Sequence, residues 1–374
     1  MNVILTCGGT AGHINPAIAV ANMMKQRHPD CNILFIGASG HMEEKLVPQA
    51  GYELKVLPVS GLSRQKSLAA VKKNINAVKC VLSAVGRCKK IIREFKPDVI
   101  IGTGGYASFP ALYAGHQLGI PTCVHEANAL PGLTTKLAAN IADRVMVCFD
   151  ESRQYYKNPD KVSVVGMPIR QEFLTMTQQE AKERLGLSGR PLVVSAFGSQ
   201  GAKVMNQTMA EMFTMEKNDG FPFHHIHAVG SFGWGWMPEL VHNNGVDLEH
   251  SPEIDMREYI YDMPEVMVAA DVFISRAGSA TCNEIAASGT PCILIPSPNV
   301  TNNHQEKNAR VLEKSGGAVV VLESECTAER IYSEVNAMLG DGKRRAGMEA
   351  ALKGLVKTDA TERICDILEE LAKA

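Results

Sequence analysis

The segment Val3-Ile4-Leu5-Thr6-Cys7-Gly8-Gly9-Thr10-Ala11-Gly12-His13 joins an apolar run to a glycine loop, and a helical pattern follows as far as Arg27. This order predicts a strand, a tight turn and a helix. Glycines at such a turn permit positive φ angles, and the helix amino terminus offers unpaired N–H groups to an anion. The segment therefore predicts the first strand and helix of a Rossmann-like unit, although glycines also serve simple packing in any α/β fold.

The same alternation of short β-rich runs and longer helical patterns continues through the chain. Helical spacing is clearest in Ile18–Arg27, Leu68–Phe95 and Val204–Phe213. The predicted strands are Val3–Thr6, Ile33–Ile36, Val99–Gly102, Thr122–His125 and Val145–Cys148, then Pro191–Ala196, His225–Val229, Val272–Ile274, Cys292–Ile295 and Ala318–Val321. Near-continuous apolar strands between helices indicate parallel sheets covered on both faces.

Length and pattern together predict two domains. The chain has 374 residues, which suits two cores of roughly 150–200 residues. The pattern restarts at Pro191, and the polar segment Tyr155–Pro191 contains the predicted boundary. We expect an α/β protein with two doubly wound domains facing each other across a cleft, the first over residues 1–165 and the second over 166–356.

Composition excludes several classes of protein. Hydrophobic residues make up 45% of the chain and the net charge is −2, which argues against disorder and against a general nucleic-acid binder. The ten cysteines show no C-x-x-C pair, so we expect reduced, mostly buried thiols and neither a disulfide framework nor a zinc site. The amino terminus has no basic leader, and glycines and prolines interrupt the uncharged stretch Val99–Val124, so a soluble protein is expected.

Two further strand–glycine–helix junctions lie in the second half. Gly198-Ser199-Gln200-Gly201-Ala202 repeats the placement of the first loop, and Ser275–Glu284 forms the other. Neither glycine loop matches the P-loop pattern or a clean G-x-G-x-x-G, so an NTPase and a dinucleotide-binding protein are improbable. Glu284 falls about one turn into the helix that follows Gly278, where a carboxylate can accept hydrogen bonds from both hydroxyls of a ribose; a solvated surface charge is the alternative.

Six motifs now stand in a recognisable order. They are Gly8–Ala17, Gly102–Tyr106, His125–Gly132, Gly166–Arg170, Gly198–Ala202 and Ser275–Glu284. In order and spacing the chain resembles the MurG family of GT-B glycosyltransferases from residue 3 to about residue 321. That resemblance implies inverting transfer of N-acetylglucosamine from UDP-N-acetylglucosamine to the C4 hydroxyl of undecaprenyl-diphospho-N-acetylmuramoyl-pentapeptide, which converts lipid I into lipid II in peptidoglycan synthesis.

The resemblance also implies roles for domains and residues. Residues 1–165 would form the acceptor-binding and membrane-facing domain, with a final helix in 357–374 crossing back to it, and 166–356 would bind the UDP-sugar. Glu284 would hold the ribose hydroxyls, and Ile260 would present its backbone to uracil. The remaining donor contacts would be Thr10, Ala11, Gly12, Asn128, Arg170, Ser199, Gln200, Ala280, Thr281 and Gln305.

The sequence departs from the family pattern at four positions. Ala11 stands for a usual glycine, Ala127 for a glutamine, Phe197 for a glycine and His304 for a glutamine. If the position of Ala11 requires positive φ, its Cβ adds strain of roughly 1 kcal/mol or more.

The attacking hydroxyl needs a general base within hydrogen-bond reach. His13 is the first candidate because imidazole titrates near neutral pH, and Glu126 is the second; packing or helix capping is the alternative role for His13. The chain contains no Asp-x-Asp, so we expect no protein-bound metal and no required cofactor, although a divalent cation could assist. His224-His225-Ile226-His227 has no flanking ligand cluster and is interpreted as structural.

Between Arg64 and Lys96 ten basic residues stand against one acidic residue, Glu94. Such a surface can attract anionic lipid headgroups, while the apolar residues at helical spacing are core or insert shallowly. The predicted membrane face comprises Lys72, Lys73, Lys79, Arg87, Lys89 and Lys90. We therefore expect a peripheral protein at the cytoplasmic face of the bacterial membrane. Its partners would be UDP-N-acetylglucosamine, lipid I and proteins of cell-wall synthesis.

Three other functions remain compatible with the residues. A related GT-B enzyme would act on another lipid or a small-molecule acceptor, and a UDP-N-acetylglucosamine 2-epimerase would share fold and nucleotide. A non-catalytic sensor of UDP-sugar at the membrane belongs to a different class.

Overall fold

The computed structural model describes residues 1–59, 68–128, 130–187, 189–300 and 303–373, and for 68–79 and Leu82 it describes the backbone only. The chain divides into two compact units. Met1–Arg170 with Lys357–Ala374 forms the first unit, and Gln171–Val356 forms the second. The residues from Gly166 to Arg170 therefore lie in the first unit, whereas the sequence assigned them to the second.

The first unit is a parallel sheet of seven strands with helices between them. Its strands are β1 (Asn2–Thr6), β2 (Asn32–Ala38), β3 (Glu53–Leu57), β4 (Val99–Gly102), β5 (Thr122–Glu126), β6 (Arg144–Val147) and β7 (Val162–Val164). Its helices are α1 (Ala11–Arg27), α2 (Glu43–Gln49), α3 (Leu68–Phe95), α4 (Ser108–Gln117) and α5 (Leu133–Ala139). The order β3-β2-β1-β4-β5-β6-β7 reverses direction between β1 and β4, which places a topological switch point there.

The second unit repeats this plan with a parallel sheet of six strands. Its strands are β8 (Leu192–Ala196), β9 (His224–Ala228), β10 (Ile254–Arg257), β11 (Val272–Ser275), β12 (Cys292–Leu294) and β13 (Ala318–Val320). Its helices are α6 (Glu172–Thr175), α7 (Gln178–Arg184), α8 (Lys203–Asn218), α9 (Met237–Asn243), α10 (Met263–Ala269), α11 (Ser279–Ser288), α12 (His304–Lys314), α13 (Ala328–Gly340) and α14 (Gly342–Lys353). In the order β10-β9-β8-β11-β12-β13 the switch point lies between β8 and β11.

The last helix, α15 (Ala360–Leu371), packs on the first unit, as predicted. Its buried face contains Ile364, Cys365 and Leu368, and Thr361 donates a hydrogen bond to the carbonyl oxygen of Ile169. Arg27 at the end of α1 pairs with carboxylates of α15 at 2.6 and 3.2 Å. The apolar contact holds the helix, since half-exposed ion pairs of this kind contribute about 1 kcal/mol or less.

Both units bury a continuous apolar core, and the predicted α/β fold with two Rossmann-like sheets is confirmed. Three observed strands were not predicted, namely β3, β7 and β10, and each lies at the edge of its sheet. All ten cysteines are free, and eight of them are buried. Within the described residues no helix is long and apolar enough to cross a bilayer.

Candidate active site

The first glycine loop lies at the switch point of the first sheet, between β1 and α1. Gly9 has a φ of +92°, and the helix begins at Ala11 with Thr10 as its amino-terminal cap. The condition for strain at Ala11 is not met, because Ala11 is the first helical residue and the positive φ belongs to Gly9. A Cβ is compatible with the first turn of a helix.

A buried carboxylate, Glu43, closes this loop from behind. Its oxygens accept hydrogen bonds from the N–H groups of Ala38 at 2.8 Å and Gly9 at 3.3 Å. Sequence reasoning missed Glu43 because it stands five residues beyond the end of β2 and 34 residues from the loop that it contacts. Together with burial, the Glu43 charge raises the pKa of the neighbouring Cys7 thiol, so this cysteine stays protonated.

His13 is held across the switch point. Its Nδ1 lies 3.2 Å from the carbonyl oxygen of Thr103, whose hydroxyl in turn donates to the carbonyl oxygen of His13 at 2.7 Å. A ring nitrogen facing a carbonyl oxygen must carry the proton, so Nε2 is left as the basic nitrogen. Gly104 makes this possible, because a Cβ there would lie 2.5 Å from Nδ1 of His13.

The electrostatic surroundings keep His13 neutral. Removal of water lowers the pKa of His13, and the charges of Glu126 and Glu43 and the contact with Thr103 only partly oppose this. A neutral imidazole with a free Nε2 can accept a proton at pH 7, as a general base must. The arrangement supports the first base candidate.

Glu126, the second candidate for the general base, uses both carboxylate oxygens to hold the protein backbone. It ends β5 and is buried, and its Oε1 accepts from the backbone N–H and the side-chain amide of Asn128 at 3.0 and 2.9 Å. Its other oxygen accepts from the N–H of Gly132 at 3.1 Å. Both oxygens accept hydrogen bonds from the loop that leads into α5, so Glu126 fixes this loop. Its negative charge also lies near His13.

His125 points elsewhere. Its Nε2 donates to the carbonyl oxygen of Gly166 at 2.9 Å, and burial lowers its pKa. Nδ1 of His125 is buried without a hydrogen-bond partner in the described structure. His125 and Glu126 therefore both hold backbone segments of the first unit in place.

The second glycine loop occupies the corresponding place between β8 and α8. Gly198 and Gly201 have φ angles of +91° and +77°. Among the described residues the N–H groups of Ser199 and Gln200 have no hydrogen-bond partner, and both residues are at least partly exposed. These groups can receive an anion at the carboxyl end of the sheet.

The adjacent strand, β11, leads into α11 across the switch point. Ala280 and Thr281 lie in the first turn of this helix, and Glu284 lies in the next turn, half-buried. Gly278 precedes the helix and provides no side-chain cap, so the first-turn N–H groups of Ala280 and Thr281 also face outward. Two helix amino termini thus meet at one edge of the second sheet.

Two of the other predicted donor residues, Gln305 and Ile260, follow strands of the second sheet. Gln305 is oriented by the N–H of Ser297, which donates to its Oε1 at 2.9 Å, and among the described residues its NH₂ group has no hydrogen-bond partner. Ile260 follows β10 and its side chain is buried, which leaves its backbone for recognition. Arg170 is half-buried at the end of the first unit's main segment, in the same unit as Asn128.

Two histidines of the segment 224–227, His225 and His227, belong to a buried hydrogen-bonded chain. Nδ1 of His225 contacts Oε1 of Glu216, and the hydroxyl of Ser195 lies between Nε2 of His225 and Nδ1 of His227, all at 2.7 Å. Burial raises the pKa of Glu216 and lowers that of His227 to about 3. These side chains link β8, β9 and α8; in the described part of the chain no three His, Cys, Asp or Glu side chains are arranged to hold a metal ion.

Only part of the predicted membrane face can be placed. The side chains of Lys72, Lys73 and Lys79 lie outside the described residues. Arg87 and Lys90 are exposed on α3 and Lys89 is half-buried, while Val85, Cys88 and Ile92 on the same helix are buried in the core. In the described half of the helix, therefore, the apolar stripe belongs to the core and the cations face outward.

Two parallel Rossmann-like sheets, each with a glycine loop at its switch point, are the architecture of the GT-B fold. Residues 3–147 match the glycosyltransferase family 28 N-terminal domain, and residues 192–364 match the glycosyltransferase family 28 C-terminal domain. The chain belongs to glycosyltransferase family 28.

Curated relatives match the chain over its full length. A protein of Acetivibrio thermocellus is 41% identical over 100% of this chain and 99% of its own length. One from a Thermoanaerobacter species is also 41% identical, over 99% of this chain and 100% of its own length. Both are named UDP-N-acetylglucosamine–N-acetylmuramyl-(pentapeptide) pyrophosphoryl-undecaprenol N-acetylglucosamine transferase.

Solved structures support the same fold. Acinetobacter baumannii MurG superposes with a TM-score of 0.67 at 22% identity, over 99% of both chains. A Neisseria meningitidis UDP-GlcNAc 2-epimerase bound to UDP-GlcNAc gives a TM-score of 0.64 at 13% identity, covering 99% of this chain and 100% of that one. Because a transferase and an epimerase fit about equally well, the fold does not separate these two activities.

Proposed function

We propose that this enzyme transfers N-acetylglucosamine from UDP-N-acetylglucosamine to the C4 hydroxyl of undecaprenyl-diphospho-N-acetylmuramoyl-pentapeptide, with inversion at the anomeric carbon. The observation that carries the proposal is 41% identity over the full chain to relatives named for this reaction. The neutral, oriented His13 adds a base that such an attack requires.

The second unit would bind the donor. The N–H groups near Ser199, Gln200, Ala280 and Thr281 would stabilise the charge that develops on the departing UDP. Glu284 would accept the two ribose hydroxyls, Ile260 would present its backbone to uracil, and the free amide of Gln305 would contact the sugar. Arg170 and Asn128, from the first unit, would complete the donor contacts, with Thr10 to Gly12 near them.

In the chemical step the acceptor oxygen forms a bond to the anomeric carbon as the bond from that carbon to the diphosphate oxygen breaks. The hydroxyl proton passes to Nε2 of His13, and UDP leaves with the bonding electron pair. These groups require neither a cofactor nor a protein-bound metal, although a divalent cation can neutralise the leaving diphosphate.

The deciding experiment measures UDP release from UDP-N-acetylglucosamine with and without a short-chain lipid I analogue. Lipid-dependent release with transfer of the sugar to the analogue supports the proposal. Transfer only to a diacylglycerol or another acceptor would favour a related glycosyltransferase. Conversion of the donor without acceptor would favour an epimerase, and donor binding without turnover would favour a sensor.

For the location we propose peripheral attachment to anionic lipid at the cytoplasmic face of the membrane, where other cell-wall synthesis proteins would be its neighbours. The exposed cations of α3 support this. Replacing Lys89 and Lys90 with Gln should weaken binding to anionic vesicles up to about thirtyfold, since each cation near the surface contributes about 1 kcal/mol, and added salt should have the same effect. Lys307 and Lys343, exposed in the second unit, are the matched control pair.

A further inference from the structure

The segment Gly230-Ser231-Phe232-Gly233-Trp234-Gly235-Trp236 follows β9 and exposes aromatic side chains to solvent. Phe232 is 72% exposed and Trp234 is 41% exposed. Trp236 differs, because it is half-buried and its indole N–H donates to the carbonyl oxygen of Phe232 at 2.9 Å. Two large apolar side chains exposed within three residues of each other suggest a binding surface.

Backbone contacts fix this segment to the second glycine loop. The N–H groups of Ser231 and Phe232 donate to the carbonyl oxygens of Ser199 and Gln200 at 3.3 and 3.1 Å. The two backbones approach so closely that a Cβ on Gly201 would lie 2.1 Å from the carbonyl oxygen of Val229. The aromatic side chains are therefore attached to the loop assigned to the donor diphosphate.

The other side of the segment is tied to the chain that leads to Ile260. The N–H of Gly230 donates to the carbonyl oxygen of Glu258 at 2.9 Å, and that of Val229 donates to the carbonyl oxygen of Arg257 at 2.9 Å. The segment thus lies between the residues assigned to the diphosphate and those assigned to the base. A nucleobase binds well to a flat apolar surface such as an aromatic side chain. None of the residues assigned to the donor above is aromatic.

We propose that Phe232 and Trp234 form an aromatic platform for the uridine part of the nucleoside diphosphate donor. This inference rests on the proposed function and adds to it two residues that would govern nucleotide affinity and the choice of base. A pyrimidine ring stacked on such a platform gains apolar contact on one face while its polar edge remains available to the backbone near Ile260.

The chain offers a built-in probe, because its only two tryptophans are Trp234 and Trp236. In the variant Trp236→Phe, all indole fluorescence comes from Trp234. We expect UDP and UMP to quench this fluorescence saturably, and inorganic pyrophosphate to leave it unchanged. Equal responses to pyrophosphate and UMP would overturn the proposal, since they would report movement of the glycine loop without stacking on a base.

Calorimetry then separates this inference from the proposed function. The double variant Phe232→Ala, Trp234→Ala should bind UDP about tenfold more weakly than the parent, within the range found when a base loses its stacking partner. Trp236→Phe, with Trp234 retained, should bind UDP like the parent. If the parent itself failed to bind UDP, the proposed function would fall; if parent and double variant bound UDP equally, only the platform would fall.

A third measurement tests the competing occupant, a lipid surface. Vesicles of phosphatidylglycerol and phosphatidylethanolamine should leave the emission maximum of Trp234 in place. A blue shift with vesicles, combined with no response to UDP, would overturn the platform and assign these side chains to the bilayer.

Discussion

The two glycine loops occupy the same place in their units, after a central strand and before a long helix, yet their surroundings carry different charge. Behind the first loop lies the Glu43 carboxylate, hydrogen-bonded to Gly9, and Glu126 lies near His13. Among the described residues no carboxylate hydrogen-bonds to Gly198–Gly201, which is instead locked to the backbone around Gly230. The first loop suits acceptance of a proton, and the second suits an anionic diphosphate.

The shared fold therefore determines where a ligand binds in each unit. The side chains behind each loop determine whether an anion is favoured there. A carboxylate close to a loop amide opposes a second anion there, whereas outward N–H groups at helix amino termini attract one. Variants of each loop test this difference in charge preference, and the largest effect is expected at His13.

Substitution of His13 tests the proton-accepting role of the first loop. His13→Ala should lower kcat by about 10²- to 10⁴-fold with donor KM nearly unchanged, because it removes a general base. The parent should keep its activity down to a pH below about 6.5, since the pKa of His13 is lowered and the imidazole stays neutral there. Steady-state kinetics across pH measures both effects.

The control for that experiment is His116→Ala, an exposed histidine of α4 in the same unit, which should behave like the parent. A normal kcat in His13→Ala would show that His13 is not the general base. The first loop would then have no proton-accepting role to set against the anion-binding role of the second.

Substitution of Glu284 tests the donor role of the second unit. Glu284→Ala should raise donor KM about tenfold to a hundredfold, because hydrogen bonds to a charged acceptor are lost, while acceptor KM changes little. Glu211→Ala, in the exposed surface of α8, serves as a matched control. Unaltered donor kinetics in Glu284→Ala would return this residue to the role of a solvated surface charge.

The backbone interlock of the second loop can be tested with two glycines. Gly201→Ala should destabilise the protein by about 1–3 kcal/mol and raise donor KM, because the new Cβ meets the carbonyl oxygen of Val229 at a strained φ of +77°. Gly220→Ala has a similar φ of +72° but open space around its Cβ, so it should cost less and spare donor binding. Thermal unfolding and donor titration of both variants are the measurements; identical effects would show that the interlock is unimportant.

The smallest expected effect concerns the charge behind the first loop. Glu43→Gln keeps an acceptor for Gly9 and Ala38 but removes a charge that raises the pKa of His13. The acid limb of kcat/KM should therefore move to lower pH. A shift in the opposite direction would mean that Glu43 acts on His13 through structure and not through charge.

Much of the fold could be predicted because central strands are buried on both faces and form apolar runs. The edge strands escaped prediction for the same physical reason: Glu53–Leu57 and Ile254–Arg257 are largely half-buried or exposed, so polar residues interrupt them. Glycine loops and the Glu284 helix were found from local spacing alone.

The site residues that were not predicted from the sequence depend on contacts between segments that are distant along the chain. Glu43 reaches a loop 34 residues away, and Thr103, which orients His13, stands 90 residues from it. No local pattern shows that Gly104 must lack a Cβ for His13 to fit. The same holds for Ser195, which joins two histidines across neighbouring strands.

The helix α15 has a consequence for how this chain is made. The first unit includes Lys357–Ala374, so the whole second unit, Gln171–Val356, is synthesised before the first unit receives α15. Until then the apolar face of α1 that Ile364, Cys365 and Leu368 cover has no partner from α15. During translation the second unit can therefore reach its final fold while the first still lacks α15, and a chain released before α15 is made would carry a finished second unit and an apolar surface exposed to chaperones and proteases.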